Sequence, residues 1–299
     1  MKRLSIAGKE LFVKDYYCAY EDEQYLPNER PAMWLYINLT DQCPANCPFC
    51  VNPSGRVCGE PFSFDKLSSA LLRILPAISG VSITGGEPLV DVPRFRELMK
   101  LLQKILPSDL EVDLVTNGAE LEALAQMPEI ERLTSIHISR HAVDDELNRR
   151  LMQWHAPSVE EIAAFVRSVP DPSGVAFNCV LQKGGVASAE DVAGYLEMAA
   201  AIGVRNTSFV GMFAANLYCR EAYISPGSLE LEHDLRFRIW SRFHDHGYCQ
   251  CCNGDYLSPN GPTRFYYRWP GAACNNYVRQ LVYTADNHLL AGFGGNTIL

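Results

Sequence analysis

Six short apolar runs recur through the first two thirds of the chain: Leu35–Leu39, Val81–Thr84, Val112–Thr116, Ile136–Ser139, Val175–Leu181 and Thr207–Val210. Between them lie longer segments whose apolar positions fall three and four apart. Phe95, Leu98, Met99, Leu102 and Ile105 share one helical face, as do Val192, Tyr195, Leu196, Ala199 and Ile202. The short runs predict strands and the longer segments helices. Six strand–helix units in a row predict a parallel sheet covered by helices, either barrel-like or doubly wound.

The rhythm changes after Gly211. A helix is predicted over Leu229–His246, then Gly, Asn, Pro and Cys crowd Gly247–Asn276, and short strands follow at Arg264–Tyr267, Gln280–Tyr283 and His288–Ala291. The chain therefore divides into a polar, irregular N-terminal extension over 1–30, an α/β unit over 31–212 and a small cysteine-containing C-terminal subdomain over 213–299. That subdomain is expected to close one end of the sheet. There is no tandem repeat.

Composition narrows the class. With 47% hydrophobic and 20% charged residues the chain is globular. Lys and Arg number 26 against 35 Asp and Glu, a net charge of -9, which excludes the broad basic face of a general nucleic-acid binder. No run of about eighteen apolar residues predicts a membrane span. Lys9 and Glu10 interrupt the first apolar stretch too early for a signal peptide, so the expected location is cytoplasmic. In that reducing compartment eleven cysteines point to metal binding or catalysis rather than to disulfides.

The strongest chemical signal is TDQCPANCPFC, where Cys43, Cys47 and Cys50 follow the first strand with the spacing C-x3-C-x2-C. Random placement of the cysteines would give that spacing only about 0.015 times in a chain of this length. Thiolates this close on one loop can converge on one iron–sulfur cluster, and three rather than four ligands leave one iron open to a small molecule. A zinc knuckle or a set of reduced thiols is the alternative. Cys58 is poorly spaced to be a fourth ligand and reads as a free thiol. A loop at the carboxyl end of a barrel strand is also where such folds do chemistry.

This motif resembles that of the radical S-adenosylmethionine (SAM) enzymes, down to the aromatic Phe49 before the last cysteine. The resemblance implies a partial (β/α)6 TIM-like barrel. It also implies a [4Fe-4S] cluster on Cys43, Cys47 and Cys50 with SAM on the fourth iron, reductive SAM cleavage, and hydrogen abstraction from a substrate. Further motifs follow in the family's order. ITGGEP places Gly85, Gly86 and Glu87 at the end of the second strand, where the family binds the SAM amino group. Paired glycines allow close backbone approach, and a carboxylate there can accept from an ammonium group. LVTNG ends the third strand with Thr116, Asn117 and Gly118, and IHISRH the fourth with Ser139, Arg140 and His141. Thr116 and Ser139 are candidate SAM or substrate ligands, with capping and turn chemistry as the alternative. The resemblance further puts Asn178 at the ribose or carboxylate of SAM and Met212 beside the adenine.

Within the superfamily the similarity is greatest to the GTP 3′,8-cyclases, through WLYINLTDQC, TGGEPLV, LVTNG, FNCVLQKGG, FYYRWPG and VYTADNHLLAGF. Two active-site arginines of that branch are replaced, one by Tyr36 and one by Val90-Asp91, so the positive charge a triphosphate needs is missing. The branch's second-cluster pattern is also altered, with Gly292 at the position of its last cysteine. Cys249, Cys251, Cys252 and Cys274 nevertheless lie within 26 residues, which predicts a second iron–sulfur cluster, a structural zinc site, or no metal. Cys18, Cys179 and Cys219 read as isolated thiols. His141 reads as a substrate contact, a proton donor or a satisfied structural histidine; Asp144, Asp145 and Glu146 as a helix N-terminal cluster; and Tyr266, Tyr267, Arg268 and Trp269 as pocket lining or tail packing. The expected partners are a small-molecule or peptide substrate and an electron donor such as flavodoxin or ferredoxin. GTP cyclisation and a non-catalytic iron–sulfur or zinc protein are the alternatives.

Overall fold

The computed structural model describes residues 2–6, 8–13, 33–51, 61–225, 228–229, 231, 234–241, 249–270, 278, 280–292 and 295–299. The chain opens with a two-stranded hairpin, β1 (Lys2–Ile6) and β2 (Lys9–Val13), turning at Gly8 with φ of 76°. This corrects the irregular reading of the extension for residues 2–13. Leu4 pairs with Leu11 across the ladder, and Ile6 and Leu11 reach the main core.

The six strands expected from the apolar runs are β3 (Trp34–Asn38), β4 (Gly80–Thr84), β5 (Glu111–Thr116), β6 (Ser135–Ser139), β7 (Val175–Leu181) and β8 (Asn206–Gly211). All are parallel, and each hydrogen-bonds the next in chain order. That order decides between the two architectures, because a doubly wound sheet reverses direction at a switch point whereas a barrel winds on. The crossovers carry α1 (Phe64–Ile74), α2 (Val92–Ile105), α3 (Leu121–Ala125), α4 (Asp145–Met152), α5 (Val159–Ser168) and α6 (Ala189–Ala201), and α7 (Leu217–Glu221) follows β8. Helix starts are set by side-chain caps. Ser63 accepts from Lys66 N, Asp91 from Arg94 N, and Ser158 and Ser188 form capping boxes with Glu161 and Asp191.

The strands have two different faces. Leu35, Ile37, Val81, Ile83, Val112, Leu114, Ile136, Ile138, Phe177 and Phe209 are buried against Leu67, Leu71, Phe95, Leu102, Ile162 and Tyr195 from the helices. Each fully buried side chain of this kind contributes roughly 1.5–3 kcal/mol, so cohesion comes from the helix side. The alternate positions are mixed, with Trp34, Val115, Ala176, Val180 and Val210 among them, and they hold the polar side chains Tyr36, Asn38, Ser82, Asp113, His137, Ser139, Asn178 and Ser208. Among the described residues, the concave positions of β3 to β8 carry no Lys or Arg.

The tail extends this same sheet on both sides. β11 (Gly261–Pro270) lies parallel to β8 and is followed outward by antiparallel β10 (Cys249–Ser258) and β9 (Phe237–Ser241). β12 (Gln280–Tyr283) lies parallel to β3 and pairs with β13 (Leu289–Leu290). The eleven strands run β13-β12-β3-β4-β5-β6-β7-β8-β11-β10-β9, so the barrel is partial. The helix expected over Leu229–His246 is replaced by strand at Phe237–Ser241. There Phe237 packs on Tyr256 and Phe265 while Arg238 is exposed, a period of two rather than 3.6. No helix among the described residues is long and apolar enough to cross a membrane.

Candidate active site

The loop after β3 carries the cysteine triplet over the carboxyl ends of the strands, and it is anchored on two sides. On the first side Leu39 N donates to Thr84 O at 3.0 Å, Gly86 N to Thr40 O at 2.6 Å and Glu87 N to Gln42 O at 2.8 Å. A Cβ on Gly85 would stand 2.4 Å from Thr40 O, and one on Gly86 would stand 2.2 Å from Gln42 O. The paired glycines are thus required by the cysteine loop itself, whose backbone lies directly against them. On the second side Asn46 N donates to Met152 O at 3.1 Å and Asn46 Nδ2 to Gln153 Oε1 at 3.0 Å, so the loop rests on the end of α4. Asn216 Nδ2 donates to Pro48 O at 2.9 Å.

Cys43 and Cys47 are half-buried and Cys50 is exposed. Burial, then the neighbouring Cys50 and Cys43, push the Cys47 thiol up to about 12. Burial is also the main cause raising Cys43, with Glu87 and Cys50 adding to it. Cys47 thus feels both other thiols and Cys43 feels Cys50, and a bound cation would favour their thiolate forms. Among the described residues no three His, Cys, Asp or Glu side chains gather closely enough to chelate a single ion. Three spaced thiols on one loop fit a cluster, which takes one thiolate per iron, better than a lone zinc. Cys43 Sγ also receives a contact from Asn117 Nδ2 at 3.5 Å.

Glu87 is 0% exposed. Its Oε1 accepts from Thr116 Oγ1 at 2.8 Å and Leu89 N at 3.0 Å, and its Oε2 from Asn117 N at 2.6 Å. Burial nevertheless pushes its carboxyl up to about 7 against those three bonds. Thr116, equally enclosed, also accepts from Gly118 N at 3.0 Å. These two residues tie the ends of β4 and β5 together beneath the cysteine loop.

Ser139 and Asn178 are brought together as direct cross-strand partners on the concave face. The same row continues through Ser208 on β8 to Tyr266 on β11. Sequence reasoning did not single out Ser208; its polar character within a strand was the available signal. Met212 is buried with Phe49, Leu151 and Cys219 beside Cys47. Phe49 stands edge-on to His141, with ring centroids 4.7 Å apart. His141 resolves to the structural reading. Its Nδ1 accepts from Val180 N at 3.1 Å, and burial, then the Arg140 charge, push it down to about 3, so it is neutral and carries no exchangeable charge near neutral pH.

Arg140, a buried side chain, donates to Val143 O and Asp145 Oδ1 at 2.7 Å each and to Pro157 O at 3.3 Å, clamping the segment that holds α4. Asp144 caps α4 through Leu147 N, as the N-terminal reading anticipates. Asp91, one of the replacements for a cyclase arginine, is spent capping α2. Asp113 and His137 face each other on the concave side at 3.9 Å, and burial pushes the Asp113 carboxyl up to about 7. Tyr267 packs, stacked on Phe209 at 5.2 Å, while Tyr266 is half-buried on the opposite face and Arg268 and Trp269 continue β11. Cys179 and Cys219 are buried free thiols. Cys249, Cys251 and Cys252 belong to β10. Cys18, Cys58 and Cys274 lie outside the described residues.

The model of the Radical SAM superfamily matches residues 37–213, more than half of the chain. A probable GTP 3′,8-cyclase of Methanosarcina mazei is 28% identical over 166 residues, covering 53% of this chain and 48% of the relative. A PqqA peptide cyclase of Methylorubrum extorquens is 23% identical over 270 residues, 83% of this chain and 62% of the relative. The solved structure of Streptococcus suis SuiB bound to S-adenosylmethionine shares the fold, with a TM-score of 0.57 and 12% identity over 90% of this chain and 63% of that one. The chain spans less than two thirds of the length of each.

Proposed function

The chain belongs to the radical SAM superfamily, and from that premise we propose that its site binds SAM at a [4Fe-4S] cluster held by Cys43, Cys47 and Cys50 and acts on a substrate lying along the concave polar face. When bound, such a cluster would supply the electron for reductive cleavage of SAM and hence for hydrogen abstraction from the substrate. The chain's own residues orient and enclose. Gly85 and Gly86 seat the cysteine loop, Glu87 and Thr116 fix the strand ends under it, and Phe49 and Met212 form an apolar floor beside Cys47. Ser139, Asn178, Ser208 and Tyr266 offer a row of neutral donors and acceptors to SAM or substrate.

The observation that carries this reading is the triplet loop clamped between the Gly85-Gly86 backbone and the end of α4, above the carboxyl ends of six parallel strands. A peptide or a small polar molecule is the substrate class we favour. The use of Asp91 as a helix cap, at a position where the GTP cyclases carry an arginine, argues against a triphosphate. The greater share of the chain matched by the peptide cyclase supports the peptide reading. A small redox protein such as flavodoxin or ferredoxin would supply the electron. We also read a second iron–sulfur cluster in the tail, on three or four of Cys249, Cys251, Cys252 and Cys274, which lie within 26 residues. The test is anaerobic incubation of reconstituted, dithionite-reduced protein with SAM. Wild type is expected to form 5′-deoxyadenosine and Cys43→Ala to form none; wild type with a full cluster and no product would refute the reading.

A further inference from the structure

Asn117 closes the loop after β5 and meets the cysteine loop from the side. Its Oδ1 accepts from Ala119 N at 2.9 Å. That bond settles which way the amide faces, so the end pointing at Cys43 Sγ, 3.5 Å away, is the NH2 donor. The backbone N–H of the same residue is held by Glu87 Oε2 at 2.6 Å, and Asn117 is 7% exposed. The donor is thus fixed in place before any cluster binds.

We infer that the Asn117 side-chain amide donates to the Cys43 sulfur in the loaded protein and raises the reduction potential of the cluster. Reduction adds one electron, taken from an external reductant, and places more negative charge on the thiolate sulfurs. A fixed N–H dipole stabilises that charge more in the reduced state than in the oxidised one. No bond at Asn117 forms or breaks, and its protons stay on nitrogen. The buried Glu87 carboxyl beside Cys43 pulls in the opposite sense when ionised, so Asn117 offsets a like charge that the fold places next to a cluster ligand. Asn117 is in this sense a positioning residue whose effect passes through Cys43, and the inference rests on the radical SAM reading above.

The test is an anaerobic, EPR-monitored redox titration of the reconstituted full chain without SAM, comparing wild type, Asn117→Ala, Asn117→Asp and Arg167→Ala. Asn117→Asp keeps the acceptor for Ala119 and the side-chain size but turns an oxygen toward sulfur. Both Asn117 variants are expected to show about a tenfold lower ratio of reduced to oxidised cluster at a fixed potential near the wild-type midpoint, a shift of about 59 mV, with Asp displaced at least as far as Ala. Arg167→Ala, which loses only an exposed contact with Glu160 on α5, is expected to keep the wild-type midpoint. Asn117 variants with wild-type iron content and wild-type midpoint would overturn the inference. So would failure of both to hold iron, since Asn117 would then be a folding requirement of the loop. Wild type that loads no cluster would sink the radical SAM reading itself, whereas a loaded wild type with unmoved variants sinks only the role of Asn117.

Discussion

Glu87 accepts three hydrogen bonds inside the protein, each worth roughly 1.5–3 kcal/mol to a charged acceptor, yet burial still raises its carboxyl to about 7. Desolvation of a fully enclosed carboxylate outweighs those bonds. Its folded pKa therefore stands above the unfolded one, and its contribution to stability is present at acid pH and lost as pH rises through about 7. The shift corresponds to at most roughly 3 kcal/mol. Chemical denaturation of wild type is expected to show falling stability between about pH 5 and pH 8. Glu87→Gln flattens that slope, leaving the part owed to Asp113, which burial also raises to about 7. The amide sets an N–H against donors, so Glu87→Gln also costs about 1–3 kcal/mol at the acid end. An unchanged slope in the variant would contradict this assignment. None of it was legible in GGEP: the spacing identifies a carboxylate at a strand end, but its enclosure depends on Thr116 and Asn117, about thirty residues away.

At the scale of elements, the six parallel strands were readable to within a residue at either end, because alternation and turn residues mark them locally. β9 and the N-terminal hairpin were not. Phe237 and Ile239 alternate as a strand does, but the leucines before them suggest a helical face, and only contact with Tyr256 and Phe265 decides the matter. The cysteine loop is the element most sensitive to its neighbours. A Cβ on Gly86 would lie 2.2 Å from the Gln42 carbonyl, backbone that cannot swing aside. Gly86→Ala is expected to keep the fold by circular dichroism while its iron content after reconstitution drops several-fold. Wild-type iron content in that variant would show that the loop tolerates the displacement.

For the whole molecule, the chain returns to both edges of the parallel sheet, adding β12 beside β3 and β11 beside β8. Long-range pairing of this kind leaves no local trace in sequence, which is why residues 213–299 read as an appendage. The triplet was legible because its ligands sit on one loop; the tail cysteines are spread over a strand and a later segment. Iron and sulfide content separates the possibilities for the tail. About eight irons in wild type and about four in the Cys43/Cys47/Cys50→Ala variant are expected if the tail holds a second cubane cluster. About four and none would contradict the second cluster and leave the first intact.

The central claim is that SAM meets a cluster held by Cys43, Cys47 and Cys50. Its most direct test is the EPR spectrum of the anaerobically reduced protein before and after saturating SAM. The account predicts that SAM changes the signal in wild type, and that the SAM-sensitive component is missing in the Cys43/Cys47/Cys50→Ala variant. A wild-type protein carrying its full complement of iron whose spectrum is untouched by SAM would contradict it.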